Sequence, residues 1–430
     1  ERTSKKVSLV ISMFQGLSTD LAPPISVPFR FFLTAPIFGI LIGLLIFSNP
    51  ADIIFNKFSP TTIGLIHLFT LGILTMIIFG ALQQMLPVLA GAIIKKPILF
   101  ANIIHTNLTI GTLCLSGGFI YSSQLLLIIG SATLAIAFSI FFFILIKLLF
   151  KVKYLTPTVS AMKVFSIAGA ITALLGLYLV GQHISGNINS LHYIFVNIHI
   201  LFGLFGFSTI IIMGVAFQVI PMFYVAPDLP KSIQNKYPRV LLGMLILFAL
   251  FSILKLDTYL IKIIFTILIS VFAFYALKSL NNRRRPVFDV TLWYWKISLV
   301  SLIISMFLYI NHPDNLILPI LFALGFLYSL LQGMIYKIVP FLSWFHLNSK
   351  GYFQIPTLRE FIKEDSIKIQ LYIYMSSVFF FILSTILSSI FLYIGSGLFI
   401  VSNILLISNI IIAAKKYHEI SLTDPMAIFK

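Results

Sequence analysis

The chain of 430 residues is poor in charge, poorer still in carboxylates, and nearly without cysteine. Charged residues make up 10% of it, against roughly 25% in soluble domains. With 59% hydrophobic residues and a mean hydropathy of +1.06, this excludes an ordinary soluble globule and leaves a polytopic membrane protein. Asp and Glu number 12, and none lies in the middle of a long apolar run. That counts against a transporter coupled to protons through intramembrane carboxylates. The single cysteine, Cys114, lies inside an apolar run and excludes an internal disulfide framework or a cysteine-rich metal site. Lys and Arg number 29. In a soluble protein the resulting excess would suggest a nucleic-acid partner. Here it lies mostly between apolar runs, where it orients a chain in a lipid bilayer, and no nucleic acid is expected. The polar start ERTSKK does not have the form of a cleavable signal, and none is expected.

One apolar stretch, His67 to Pro87, is long enough to cross a bilayer. Its ending recurs. Gly80–Pro87 reads GALQQMLP, Gly214–Pro221 reads GVAFQVIP and Gly333–Pro340 reads GMIYKIVP, with intervals of 134 and 119 residues. Each copy has a polar residue three before the proline: Gln84, Gln218 and Lys337. His67 stands 20 residues before its proline and His199 stands 22 before its own; the third copy has no histidine there. Fixed-register similarity of this kind indicates repeated units.

The expected fold is all-α, a bundle of twelve transmembrane helices with pseudo-threefold four-helix repeats. The expected spans are 29–47, 63–87, 98–121, 125–149, 161–180, 191–219, 239–255, 259–280, 292–310, 316–339, 368–392 and 395–415. They group as unit 1 (29–149), unit 2 (161–280) and unit 3 (292–415, with a loop at 341–367 that would cover one face). The flanks are 1–28, with an amphipathic patch at Val7–Leu17 suited to a membrane surface, and a tail at 416–430. Alternate connections carry the cations: Lys95 and Lys96; Lys151 and Lys153; Lys231, Lys236 and Arg239; Arg283, Arg284 and Arg285; Lys350, Arg359 and Lys363; Lys415 and Lys416. The others carry only Lys57 and Lys255. By the positive-inside rule both termini are cytoplasmic, in a bacterial inner membrane. The repeated prolines are expected to end their helices.

Two groups of polar residues stand out. His67 and His199 sit at comparable depth towards the outer face, with His192 two turns before His199 and on roughly the same face. Neutral imidazoles suit iron, and equally they hydrogen-bond neighbouring helices. Gly72 and Gly203, beyond the two histidines, would let a flat group approach the backbone. His183 reads as an exposed loop histidine. The second group, towards the inner face, is Gln83, Gln84, Gln218, Gln332, Tyr336 and Lys337, with His105 and Asn102 from span three. It reads as an anion, water or proton site, or as a network that pins helices while Lys337 snorkels to the interface.

Twelve spans in three groups, with a histidine near the outer end of span two and MLPVLAG at Met85–Gly91, resemble the catalytic subunit of haem-copper oxidases and nitric oxide reductases. Pro28-Phe29-Arg30-Phe31-Phe32 is similar to a signature of the NnrS family of haem- and copper-containing membrane proteins linked to nitric oxide. His67–Gly72, Gly214–Phe223 and Gly333–Phe341 resemble THLLTLG-, GVAFQVVPMF- and GMLYKIVPF-like segments of a set of proteobacterial membrane proteins with no assigned activity. The oxidase resemblance implies a haem b ligand at His67. The chain departs from it: span ten has no histidine, no His-Pro-Glu segment exists in span six, no His-His pair follows in span seven, and the NnrS Gly-His-Thr-Gly-Arg segment is absent. An oxygen- or nitric-oxide-reducing haem–copper centre is therefore not expected.

The expected function is haem b binding, with copper as a further cofactor, in respiratory electron transfer or nitric oxide physiology. His67 and His199 are the candidate ligands and His192 a third candidate. The partners would be the bilayer and other respiratory-complex subunits or a cytochrome c. The competing readings are a transporter or assembly factor for a metal, haem or small solute, and a non-catalytic subunit of a respiratory complex. The topology has a direct test. Ser185→Cys should react with an impermeant thiol reagent from the periplasmic side and Arg284→Cys should not; the reverse pattern overturns the orientation.

Overall fold

The computed structural model describes residues 22–50, 58–284, 287–352 and 354–425. The expected surface patch Val7–Leu17, Lys57 and Arg285 lie outside them. Among the described residues there is no strand, and twelve helices are long and apolar enough to cross a membrane. They are α1 Ser26–Ser48, α2 Pro60–Ala90, α3 Pro97–Ile120, α4 Gln124–Leu149, α5 Pro157–Ser185, α6 His192–Tyr224, α7 Lys231–Ile253, α8 Tyr259–Asn281, α9 Val290–Asn311, α10 Ile317–Ser349, α11 Glu364–Ile386 and α12 Ile390–Ser421. Helices satisfy every backbone group within the segment, which a lipid environment requires. Ser59, Ser123 and Thr156 cap α2, α4 and α5 with their hydroxyls, and proline fills the first turn of α2, α3 and α5.

The spans α2, α6 and α10, 31 to 33 residues long, are well enclosed, as is α9, and aromatic rings join each pair of the three. Phe79 meets Phe207, Phe205 meets Phe322, and Phe69 meets Tyr328, at centroid separations of 6.2, 5.1 and 6.2 Å. The remaining helices surround these three, and the ring closes where α12 packs along α1. At that seam Gly39 and Gly43, spaced as in small-xxx-small contacts, sit against Asn403 and Ile400.

The three central helices are alike in detail. Each contains an eight-residue π-helical segment, Leu68–Thr75, Phe202–Thr209 and Leu321–Tyr328, and each segment begins 19 residues before the shared proline. Hydroxyls settle on the loosened carbonyls five residues back, not the usual three or four. Thr75 and Thr209 donate to Thr70 and Leu204 at 2.8 Å, Ser208 to Gly203 at 3.0 Å and Ser329 to Leu324 at 3.1 Å. Gly80, Gly214 and Gly333 press against Phe31, Ala161 and Tyr294; Gly72, Gly206 and Gly325 press against Phe38, Ala168 and Ser301. The contacted residues are seven apart in α1, in α5 and in α9 alike. Each unit's first helix therefore crosses its central helix in one register, giving the bundle its pseudo-threefold form.

Three expectations need correction. Pro87, Pro221 and Pro340 lie inside their helices, which continue to Ala90, Tyr224 and Ser349. Pro87 and Pro221 each remove one donor three residues from the end, where the stop comes from left-handed residues at Gly91 and Val225, whereas Pro340 is carried within a helix that runs nine residues further. The loop drawn at 341–367 is shorter, because α10 reaches Ser349 and α11 begins at Glu364. What remains includes a helical turn, Leu358–Phe361, with a Thr357–Glu360 capping box. It is tied to α12 by Lys416 to the Glu360 carbonyl and Lys350 to the Tyr417 hydroxyl. Finally, Gly72 offers no room to a flat group, since Phe38 fills that space.

A Cβ at Gly80 or Gly333 would come within 2.6 Å of the Cβ of Phe31 or Tyr294. Gly80→Val and Gly333→Val should each destabilise the protein by about 1–3 kcal/mol through overpacking. Gly243→Val, where nothing lies within 4 Å, should stay within about 0.5 kcal/mol. Thermal unfolding in detergent measures all three.

Candidate functional site

Two regions gather the polar side chains, one at each face. Towards the cation-poor face, α2 carries His67 and α6 carries His199. Each ring is anchored through Nδ1 to a main-chain carbonyl, His67 to Ile63 at 2.8 Å and His199 to Thr172 at 3.1 Å. With Nδ1 donating, Nε2 of each neutral ring holds a lone pair, and no described side chain or carbonyl takes either. Phe119 of α3 stacks on His67 at 5.8 Å. The His199 ring passes over Gly176 of α5, where a Cβ would lie 3.0 Å from its Cε1. Phe119, Thr172 and Gly176 carried no mark in the sequence as members of this group, since each belongs to a helix other than those bearing the two histidines.

His192 is buried at the start of α6, and its Nδ1 meets Gln182 Oε1 at 2.6 Å. His183 is not in a loop; it occupies the last turn of α5, exposed, with its ring 5.4 Å from that of His192. The sequence placed it beyond the helix because Gly181 and Gly186 flank it, yet only Gly186 is left-handed and ends α5. Among the described residues no three His, Cys, Asp or Glu side chains assemble into a metal-holding group. A haem needs fewer protein donors than that, one or two imidazoles. The His67–His199 pair fits as a donor set: two imidazoles from separate helices, each oriented by the backbone and each with Nε2 free. Among the described residues no arginine stands at this face to pair with propionates, because Arg30, Arg239, Arg283, Arg284 and Arg359 all lie at the opposite end of their helices.

At the cation-rich face the three central helices line a half-open cavity of about 70 Å³, enough for water. Its lining repeats by threes. Met85, Val219 and Ile338 stand two before the shared proline; Val88, Met222 and Phe341 stand one after it. Gln84 and Gln218, three before it, also line the cavity. Gln84 Oε1 is buried there without a hydrogen-bond partner among the described residues.

Lys337, the third member of that register, does not join them. It turns to an ion pair with Asp289 and lies over the ring of Tyr224 at 5.1 Å. Asp289 sits just ahead of α9, where its other oxygen accepts from the Thr291 N–H and caps the helix. The lysine thus has a carboxylate beside it, supplied from outside any span. Other expected members are elsewhere too. His105 bonds Thr34 at 2.8 Å and Asn102 bonds Arg30, both across the α1–α3 contact. Tyr336 accepts from Asn409 at 3.0 Å and Gln332 from Gln370 at 2.6 Å, inside the third unit. Gln83 folds back onto the Phe79 carbonyl at 3.1 Å. These pairs are helix-to-helix or helix-internal bonds, as intramembrane polar groups commonly make.

Scanned against models of known protein families the chain matches none, and a search of curated proteins finds no match.

Removing the Asp289 carboxylate strands the partly buried Lys337 ammonium and uncaps α9 together. Asp289→Ala should cost about 2–4 kcal/mol, more than Lys337→Met, which removes the charge and leaves the cap. Chemical denaturation in detergent separates the two, and equal losses would show that the ion pair alone matters.

Proposed function

We propose that this protein is a haem b-binding integral protein of a bacterial inner membrane, related in architecture to the haem-copper oxidase subunit and NnrS-like proteins. It serves respiratory electron transfer or nitric oxide physiology and lacks an oxygen-reducing haem–copper centre. The observation that carries this reading is the imidazole pair. His67 and His199 stand on two central helices with Nδ1 held by main-chain carbonyls, which leaves both Nε2 atoms free and would let these two residues hold a haem iron. A haem held there would supply one-electron transfer. The protein's part is to fix ring orientation through Ile63 and Thr172, and to exclude water with the apolar helices around the pair.

The placement of the termini at the cytoplasmic face rests on the distribution of cations. Lys95, Lys96, Lys151, Lys153, Lys231 and Lys236 lie at one face and Lys255 at the other. Twelve crossings return the chain to the face where it began. The bilayer is the surrounding partner, and an electron-donating protein such as a cytochrome c, or other subunits of a respiratory complex, would dock at an outer surface.

Protein purified from a haem-sufficient host should show a Soret band and, after dithionite, the sharp bands of a low-spin haem b. His67→Ala and His199→Ala should each lose the haem or convert it to a high-spin form that binds carbon monoxide. Both variants keeping the wild-type spectrum would dismiss this ligand pair. Wild-type protein without a Soret band would favour a carrier using the largely apolar cavity beside Gln84 and Gln218.

A further inference from the structure

The link from α5 to α6 brings His183 and His192 face to edge, with ring centres 5.4 Å apart and planes at 78°. Two imidazoles bound to one tetrahedral ion at metal–nitrogen distances of ~2.0–2.1 Å have ring centres roughly 5 Å apart. The two rings are therefore already at the spacing that a shared ion imposes.

His192 faces the Gln182 amide, with Nδ1 2.6 Å from Oε1. In this arrangement Gln182 Nε2 donates to the Tyr178 hydroxyl at 2.8 Å, where Asn189 Nδ2 also donates at 2.6 Å. Oε1 can only accept, so Nδ1 carries the hydrogen and Nε2 presents a lone pair. Only 6% of His192 is exposed, so this lone pair is held in place by packing. No described group takes it. A buried imidazole with one nitrogen oriented by a carboxamide and the other free is the arrangement that supports a metal-bound histidine from its outer shell. His183 supplies the exposed side, its ring braced 5.4 Å from that of Phe119.

We infer that His183 and His192 form a site for a divalent transition-metal ion of the kind that prefers imidazole, with Gln182 and Tyr178 as its outer shell and water completing the coordination. It opens to the cation-poor face. It uses other atoms than the His67–His199 pair and does not rest on the haem reading. No carboxylate contributes, which selects zinc-like ions over calcium or magnesium, whose ligands are oxygens.

Calorimetric titration of the purified full-length protein with Zn²⁺ tests the site. One ion per chain is expected for the wild type. His183→Ala and His192→Ala should each abolish that binding, and Gln182→Ala should weaken it roughly 10- to 100-fold. His312→Ala, at another exposed histidine of the same face, should leave it unchanged. Because the His183 ring is exposed, His183→Ala keeps the test intact even if His192→Ala misfolds; gel filtration and melting check both. Wild type that binds no Zn²⁺, or a folded His183→Ala that binds it as tightly as wild type, overturns the proposal.

Discussion

Everything in this bundle hangs on how closely three central helices approach the helices that precede them in the chain. Two glycines eight residues apart in each central helix leave the backbone bare, and residues seven apart on the crossing helix fill the gaps. The contact is backbone against side chain, and in a lipid environment such packing supplies association that the hydrophobic effect does not. Because the same contact is made three times at the same register, the three central helices end up facing one another with matching surfaces. The inner cavity, lined by residues at the same positions relative to three prolines, follows from that geometry.

Within this frame the units have diverged in polarity. The third carries Tyr294, Tyr328, Gln332, Tyr336 and Gln370 in its interior, joined by buried hydrogen bonds. At the equivalent positions on α1 and α2 the first unit has Phe31, Thr75, Phe79 and Gln83. The histidines have diverged the other way: α2 and α6 carry His67 and His199 in their first halves, while the one histidine of α10, His346, lies in its last turn at the opposite end. The outer end of the bundle is thus asymmetric where the inner end is nearly symmetric, and the oriented imidazoles lie between the first two units.

Much of this was legible in the sequence. The count of twelve spans followed from hydropathy and alternating cations, and the Gly–Pro segments located the three central helices. The π segments were not legible, because no residue type announces them; the loosened carbonyls show only once the Thr75, Ser208, Thr209 and Ser329 hydroxyls are seen reaching five residues back. The partner of Lys337 was missed because Asp289 lies 48 residues away in a connection, where a carboxylate looks merely solvated. His67 and His199 lie on equivalent helices, yet their offsets from the prolines differ by two residues. His105 and Asn102 were drawn to the inner cluster by depth alone, and depth does not specify the face of a helix.

The three π segments bear on how such a chain arose. A π turn holds one residue more than an α turn, so a single codon gained within a helix is enough to create one. Three separate gains at the same distance from the same proline would be a threefold coincidence. The simpler history is one gain in an ancestral four-helix unit, followed by copying of that unit. On that view the widened turns are older than the protein's present asymmetry, and the histidines of the first two units were added or lost on a scaffold already loosened at mid-helix.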